Sequence, residues 1–459
     1  MRERETPHVA PREDLARAAI DVALEVEQAV LGEGKHADRA IAAALRARAR
    51  QGRGPALALA QTDQRFISQS IFSLFRWRGW IDPLHLQRPE ARLLLAWLLD
   101  APRVHPVCQV WARAIGRDPG QLVALGDAPN WTARAEGLKR WLGGRAVTAD
   151  PWRLFPAWLR EHLPLPPSGA TPKVRYLELL HALQARPPLW VRAQVEQGKD
   201  KVNAEGAEGL WSELRAGGVK PWVHRHIPSA AKLPADSDVH HLPAFERGAL
   251  EIQDLASQAV ALACDPDPGE RWWDACAGAG GKALHLAALM GGKGVVVATD
   301  VNAAKLKEAV RRARRSPYRN LTTKPWDGHR VAGKPQSFDG VLVDAPCSAI
   351  GTWRRNPDAR WTTHREAITR LAELQSEILH AAAPGVKPGG TLVYSVCTLT
   401  PTETLGVIRP FLETHPDFHL DPFPHPLIPT PTPNDGTLLI WPQDADTDAM
   451  FIARMVRTS

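Results

Sequence analysis

A chain of 459 residues with 44% hydrophobic and 23% charged residues has the make-up of a globular protein with ample core, and its length suggests roughly two or three domains. Its net charge of +7 favours a polyanionic partner, no apolar run approaches the roughly 20 residues of a membrane span, and the polar start Met1–Asp14 lacks an apolar signal core, so a cytosolic, membrane-free protein is expected. Five scattered cysteines (Cys108, Cys264, Cys276, Cys347 and Cys397) argue against a disulfide framework and against a metal site.

From about Leu15 to Leu163, apolar residues recur at three-and-four spacing in LARAAIDVALEVEQAV, AIAAALRARARQGRG, DQRFISQSIFSLFRWRGWID and ARLLLAWLLD, with Gly and Pro between the runs. This predicts an all-helical domain over residues 1–165. Within it Arg46, Arg48, Arg50, Arg53, Arg76 and Arg78 stand near Phe75, Trp77 and Trp80. Arginines among aromatics either grip phosphates and stack on bases or form a solvated basic face beside a core stripe. The run PLPPSGATPK, Pro164 to Lys173, marks a boundary. Residues 166–241 then read as a linker helix, VRYLELLHALQ, and a small α/β unit: strand PLWVRAQVEQ, helix GAEGLWSELRAGG, strand KPWVHRHIP. From Leu242 to the end, strands alternate with helices and close on the pair TLLIW and AMFIARMV after a proline-rich loop, PFPHPLIPTPTPNDG. That alternation predicts a mainly parallel, doubly wound sheet over 242–459.

The chemistry is concentrated in that last region. WWDACAGAGGK, Trp272 to Lys282, reads as a strand, a tight glycine turn and a helix start, where a ligand can approach the main chain. A P-loop is excluded, because Cys276 and Ala283 stand where it needs Gly and Ser or Thr. About twenty residues on, GVVVATD ends in Asp300, placed to accept hydrogen bonds from a ribose diol. FDGVLVDAPC puts Asp344 and Cys347 at the end of a buried strand, and TLVYSVC puts Cys397 at the end of another. Strand carboxyl ends of an open α/β sheet share one crevice, so these groups should face one cleft. Lys282 reads either as a ligand contact or as a surface lysine opening a helix. Arg311, Arg312, Arg314 and Arg315 read as a solvated face rather than an RNA contact. Cys108 and Cys264 read as core, and Cys276 as part of the turn.

These stretches resemble the Sun-type (NSUN) family of RNA cytosine-5 methyltransferases. The family's glycine signature appears as DACAGAGGKA, Asp274 to Ala283, and its preceding Gln-Asp and Ser as Gln253, Asp254 and Ser257. Asp-Ala-Pro-Cys-Ser stands intact as Asp344 to Ser348, Arg-Arg-Asn-Pro-Asp as Arg354 to Asp358, and the Tyr-Ser-Thr-Cys-Ser motif as YSVCT, Tyr394 to Thr398. The signature carries Gly278 for Ala and Ala279 for Pro, and Val396 replaces the Thr before the cysteine. The resemblance implies a Rossmann-like domain binding S-adenosyl-L-methionine through Cys276, Ala277, Gly278, Ala279, Gly280, Gly281, Lys282, Asp300, Asp327 and Asp344. Asp300 would hold the ribose and Asp327 would lie near the adenine. Cys397 would be the nucleophile and Cys347 would help release the product. The helical region is loosely similar to the NusB-like RNA-binding domain of bacterial ribosomal members, which implies ribosomal RNA ahead of transfer RNA as partner, no metal, and a monomer. Cytosine C5 is a poor nucleophile; a thiolate added at C6 makes it enamine-like, and a carboxyl near N3, here Asp344, stabilises the charge that builds on the ring. An RNA-binding assembly factor without turnover and a DNA methylase using Cys347 as nucleophile are the alternatives.

Overall fold

The computed structural model describes residues 12–51, 59–144, 149–166, 171–194, 204–429 and 433–458. Two compact units emerge. One comprises residues 1–160 together with 353–364, the other residues 161–352 together with 365–459. Residues 166–241, expected as a linker helix and a small α/β unit, fall in the second unit, and the short stretch 353–364, expected within the sheet domain, falls in the first.

The first unit contains the helices Glu13–Leu31, Ala37–Gln51, Gln61–Ile81, Pro89–Asp100, Pro106–Ala114 and Trp131–Trp141. The first helix buries Leu15, Ala19, Val22, Val26 and Val30, one stripe at three-and-four spacing. Trp77, Trp80 and Trp131 meet edge to face with centroids 5.4 to 6.1 Å apart. The segment 353–364 completes this core. Asp358 accepts from the Ala37 amide at 2.9 Å, Trp361 Nε1 donates to the Phe75 carbonyl at 2.8 Å, and buried Arg360 lies over the Phe155 ring at 4.4 Å. The arginines read as an RNA grip or a solvated face are in part neither. Arg76 is buried and pairs with Asp100, Arg78 pairs with Glu27 and Asp82, and Arg48 pairs with Glu25. Arg53 lies outside the described residues.

In the second unit, β1 (Leu189–Ala193), β2 (Trp222–Val223), β3 (Ala230–Leu233) and β4 (Leu250–Ile252) form an antiparallel sheet in the order β2-β3-β1-β4. Leu210, Trp211 and Leu214 of the helix Ala204–Ala216 share a core with Val191, Ala231, Leu233 and Leu250 on one face of it.

The large sheet contains β5 (Arg271–Asp274), β6 (Val295–Asp300), β7 (Leu321–Pro325), β8 (Phe338–Asp344), β9 (Val386–Val396), β10 (Phe418–Leu420), β11 (Thr437–Ile440) and β12 (Met450–Arg457). Its order is β10-β12-β9-β8-β5-β6-β7, with β11 also paired to β12. Strands β9, β8, β5, β6 and β7 run parallel, and β12 returns antiparallel to β9. The chain winds outward from β5 through β7, then crosses back to β8 on the other side of β5. That reversal opens a crevice at the carboxyl ends of β5 and β8. Alternation puts the paired tryptophans of β5 on opposite faces. Trp272 packs with Ala256, Val260 and Val296, and Trp273 with Phe338, Val341 and Ile378. Burying each contributes about 5 kcal/mol of transfer free energy. The neighbouring strand makes room with Gly340, where a Cβ would come within 2.3 Å of the Trp272 ring.

Candidate active site

Asp274, Asp300 and Asp344 are each the last residue of a parallel strand, so three carboxylates meet the crevice. The turn after β5 is held by main chain. Ala275 N donates to the Leu342 carbonyl, Ala277 N to the Thr299 carbonyl and Gly280 N to the Ala277 carbonyl, each at 2.8 Å. Gly278 and Gly280 take φ of 56° and 83°, in the left-handed region that favours glycine. At Gly280 a Cβ would also press within 3.0 Å of the Ala309 Cβ, whereas at Gly278 it would meet open space. The Gly278 amide donates to Asp300 Oδ2 at 2.9 Å, and the Asn302 amide to Asp300 Oδ1 at 2.7 Å. The acid and the turn thus fix each other.

Arg312 braces the turn from behind, donating to the Ala279 carbonyl at 3.0 Å while its guanidinium pairs with buried Glu251, which also holds Arg315. The solvated arginine face expected here is therefore wrong for Arg312 and Arg315. It describes Arg311, whose exposed side chain pairs with Glu308, and Arg314, which is exposed as well. An acid sixty residues upstream carries no local signal for such pairing.

Lys282 is not a surface lysine. Its side chain is 11% exposed and its ammonium lies 2.7 Å from Asp344 Oδ2. Burial opposes its charge, but Asp344, through charge and hydrogen bond, with Cys397 and Asp274, holds its pKa above the usual lysine value. Ser395 Oγ donates to the other Asp344 oxygen at 2.8 Å. Asp274 is wholly buried with neither oxygen in a hydrogen bond. Burial first, then the charge of Asp344, pushes its pKa to about 8, which Lys282 and the Ala283 amide offset only in part.

Cys347 and Cys397 are brought together, Sγ to Sγ 3.4 Å. The hydrogen bond to Cys397, burial, and the negative charges of Cys397 and Glu403 raise the Cys347 pKa well above the usual thiol value. Behind the pair sits a fully buried carboxylate the sequence reading passed over. Glu403 Oε1 accepts from the Ser348 amide at 2.8 Å and from Gln375 Nε2 at 3.1 Å. Its Oε2 takes the hydroxyls of Ser348, Thr398 and Thr400. Ser348 adjoins Cys347 and Thr398 adjoins Cys397, so one side chain ties both thiol loops. The Tyr394 hydroxyl, between Gln375 Oε1 and the Glu403 carbonyl, locks the same knot.

Two expected residues stand apart. Cys276 packs against the core beside the turn, and burial raises its thiol pKa. Asp327 lies exposed beyond β7, its Oδ1 accepting from the His329 amide at 3.0 Å, and no hydrogen bond joins it to the other site residues. Cys108 and Cys264 are buried elsewhere, as expected. Among the described residues, no group of His, Cys, Asp and Glu could hold a metal, and no helix is long and apolar enough to cross a membrane.

The crevice fits a cationic ligand that carries a diol. It has the Asp344 carboxylate on the Lys282 ammonium, a second acid, Asp300, anchored on the turn, the buried acid Asp274, and open space over Gly278. Such a turn at the reversal point of a doubly wound parallel sheet, with these carboxylates, defines an S-adenosylmethionine-dependent methyltransferase. The family model for 16S rRNA methyltransferase RsmB/F matches residues 261–456. Ribosomal RNA small subunit methyltransferase B of Salmonella paratyphi B is 34% identical over 313 residues, 68% of each chain, and that of Salmonella typhi is similar to the same extent. The chain belongs to this RsmB/F family. Two solved structures share the fold. PH0851 has a TM-score of 0.70 and 24% identity, covering 97% of this chain and 99% of its own. NSun6 from Pyrococcus horikoshii, solved with SFG, has a TM-score of 0.52 and 19% identity, covering 62% and 95%.

Proposed function

We propose that this methyltransferase forms 5-methylcytosine in small-subunit ribosomal RNA through a covalent bond between Cys397 and cytosine C6. The observation that carries the reading is the 3.4 Å approach of two thiols beside the Lys282–Asp344 pair at the ends of β8 and β9. The names of the curated relatives support ribosomal RNA as the substrate.

Each residue then has distinct work. Cys347, whose thiol pKa is raised, stands 3.4 Å from the Cys397 sulfur, where its S–H can stabilise a thiolate on Cys397 once the nucleophile forms. The Cys397 thiolate adds to C6, and the ring electrons move to C5 and towards N3. The Lys282 ammonium, held by Asp344, is the positive group that stabilises that developing charge, and Asp344 holds the base in register by accepting from its amino group. S-adenosylmethionine, when bound, supplies an electrophilic methyl group for C5. A base then takes the C5 proton, the electron pair re-forms the C5–C6 double bond, and the C6–S bond breaks. The Cys347 S–H stabilises the departing Cys397 sulfur. The turn from Cys276 to Lys282 and Asp300 would hold the donor, and the adenine contact of Asp327 is carried by the family resemblance alone.

Labelled-methyl transfer to deproteinised ribosomal and transfer RNA tests this. Cys397→Ala should abolish transfer, and Cys347→Ala should trap an RNA adduct on Cys397 that resists denaturation. An adduct that persists in Cys397→Ala, or activity indifferent to RNase, would sink the assignment.

A further inference from the structure

Trp222 is the one aromatic among the large apolar side chains exposed in the described residues, at 55%. It lies on the edge strand β2, whose register aligns Trp222 with Lys232 of β3, which in turn faces Trp190 of β1. Residues opposite one another across a sheet share a face, so indole, ammonium and indole form a row. The rings of Trp222 and Trp190 are 5.9 Å apart, and the Lys232 ammonium is 5.2 Å from the Trp222 centroid. His224 closes the row, and Lys220, Arg225 and His226 beside it are exposed. The other side of this sheet is already covered by the helix Ala204–Ala216.

This face is tied to the thiol loops by a short piece of chain. Trp190 Nε1 donates to the Asp446 carbonyl at 2.8 Å, and Lys232 reaches the Asp446 carboxylate at 3.2 Å. Three residues later, at most about 11 Å along an extended chain, Ala449 N donates to the Gly351 carbonyl at 3.0 Å. Gly351 N in turn donates to the carbonyl of Cys397 at 3.0 Å. Asp254 pins the connection by accepting from Thr447 Oγ1 and the Asp448 amide.

We propose that Trp222 stacks on an unpaired base of the RNA that carries the target cytosine, with Lys232 and Arg225 taking the neighbouring phosphates. An indole face with cations beside it binds single-stranded RNA with little regard to sequence. Placed here, it would set how the strand enters the site. The inference rests on the RNA reading above and names where that RNA is held.

The test uses the full chain and an in vitro transcript of small-subunit ribosomal RNA. Trp222→Ala should raise the KM for RNA about 10-fold while kcat moves far less, and should weaken binding of the same RNA measured without cofactor by about the same factor. Trp222→Phe should restore most of both and Trp222→Leu should not, because only the former keeps a π face. S-adenosylmethionine affinity, measured by calorimetry, serves as the control for folding. A Trp222→Ala chain within about twofold of wild type in KM and RNA affinity, or Leu serving as well as Phe, overturns the inference while leaving the methyltransferase reading intact. So does a defect seen only on protein-bearing particles, which would point to a protein contact. A wild-type chain that methylates no RNA removes the reading and the inference together.

Discussion

At the ends of β5 and β6 the crevice is held by main chain, whereas at the ends of β8 and β9 it is held by side chains. On the first side, amides of Ala275, Ala277 and Gly280 bond to carbonyls, and the acid Asp300 is seated on two further amides. On the second side, the two thiols are placed by Glu403, through Ser348, Thr398, Thr400 and Gln375. A main-chain cradle tolerates changes in side chain wherever φ and space allow. A side-chain knot depends on one buried group, and its loss leaves several donors without an acceptor.

The sharpest way to break this contrast is Glu403→Ala. It should lower stability by about 3–5 kcal/mol, read by denaturant unfolding, and cut kcat about 100-fold by letting the thiols drift. Affinity for S-adenosylmethionine should hardly change, and an equal loss in cofactor affinity would show that the two sides are not separately built. Asp274, between the sides, yields a pH test. Its native pKa of about 8 exceeds the usual carboxylate value, so between pH 4 and 8 the folded chain retains a proton the unfolded chain has released. Wild-type stability should therefore decline as pH rises through that window, by on the order of 6 kcal/mol, and Asp274→Asn should flatten the decline. On the main-chain side, Asp300→Asn should weaken S-adenosylmethionine binding about 10-fold, one neutralised acceptor's worth. Gly278→Ala should cost least in stability, about 1 kcal/mol of backbone strain, because no protein atom stands where its Cβ would project.

The same contrast explains what the sequence made visible. A main-chain turn must be written in contiguous glycines, so Cys276 to Lys282 could be read directly, and a doubly wound sheet announces itself through alternating strands and helices. Asp344, Cys347 and Cys397 could be read as strand ends. That the thiols approach to 3.4 Å required the register of β8 against β9. Glu403 and Gln375 left no pattern, and Tyr394, visible only as the start of YSVCT, gave no hint of its partners, because the knot is a convergence of side chains from a helix, a strand and a loop. Lys282 stayed ambiguous for a related reason: a lysine opening a helix looks alike whether water or Asp344 receives it. The stretch 353–364 was read with the sheet because it follows β8 in sequence, and chain adjacency says nothing about which core receives Trp353 and Arg360.

That stretch also makes the helical unit a composite. Its interior is finished by a tryptophan and an arginine, Trp353 and Arg360, that arrive more than two hundred residues after its helix Trp131–Trp141. A fragment cut at residue 160 would be missing a piece of its own filling, with a hollow under Phe155 and no acceptor for the Ala37 amide. The helices are thus no detachable preface to the enzyme. Removing them would leave Trp353, Asp358 and Arg360 without the core that receives them.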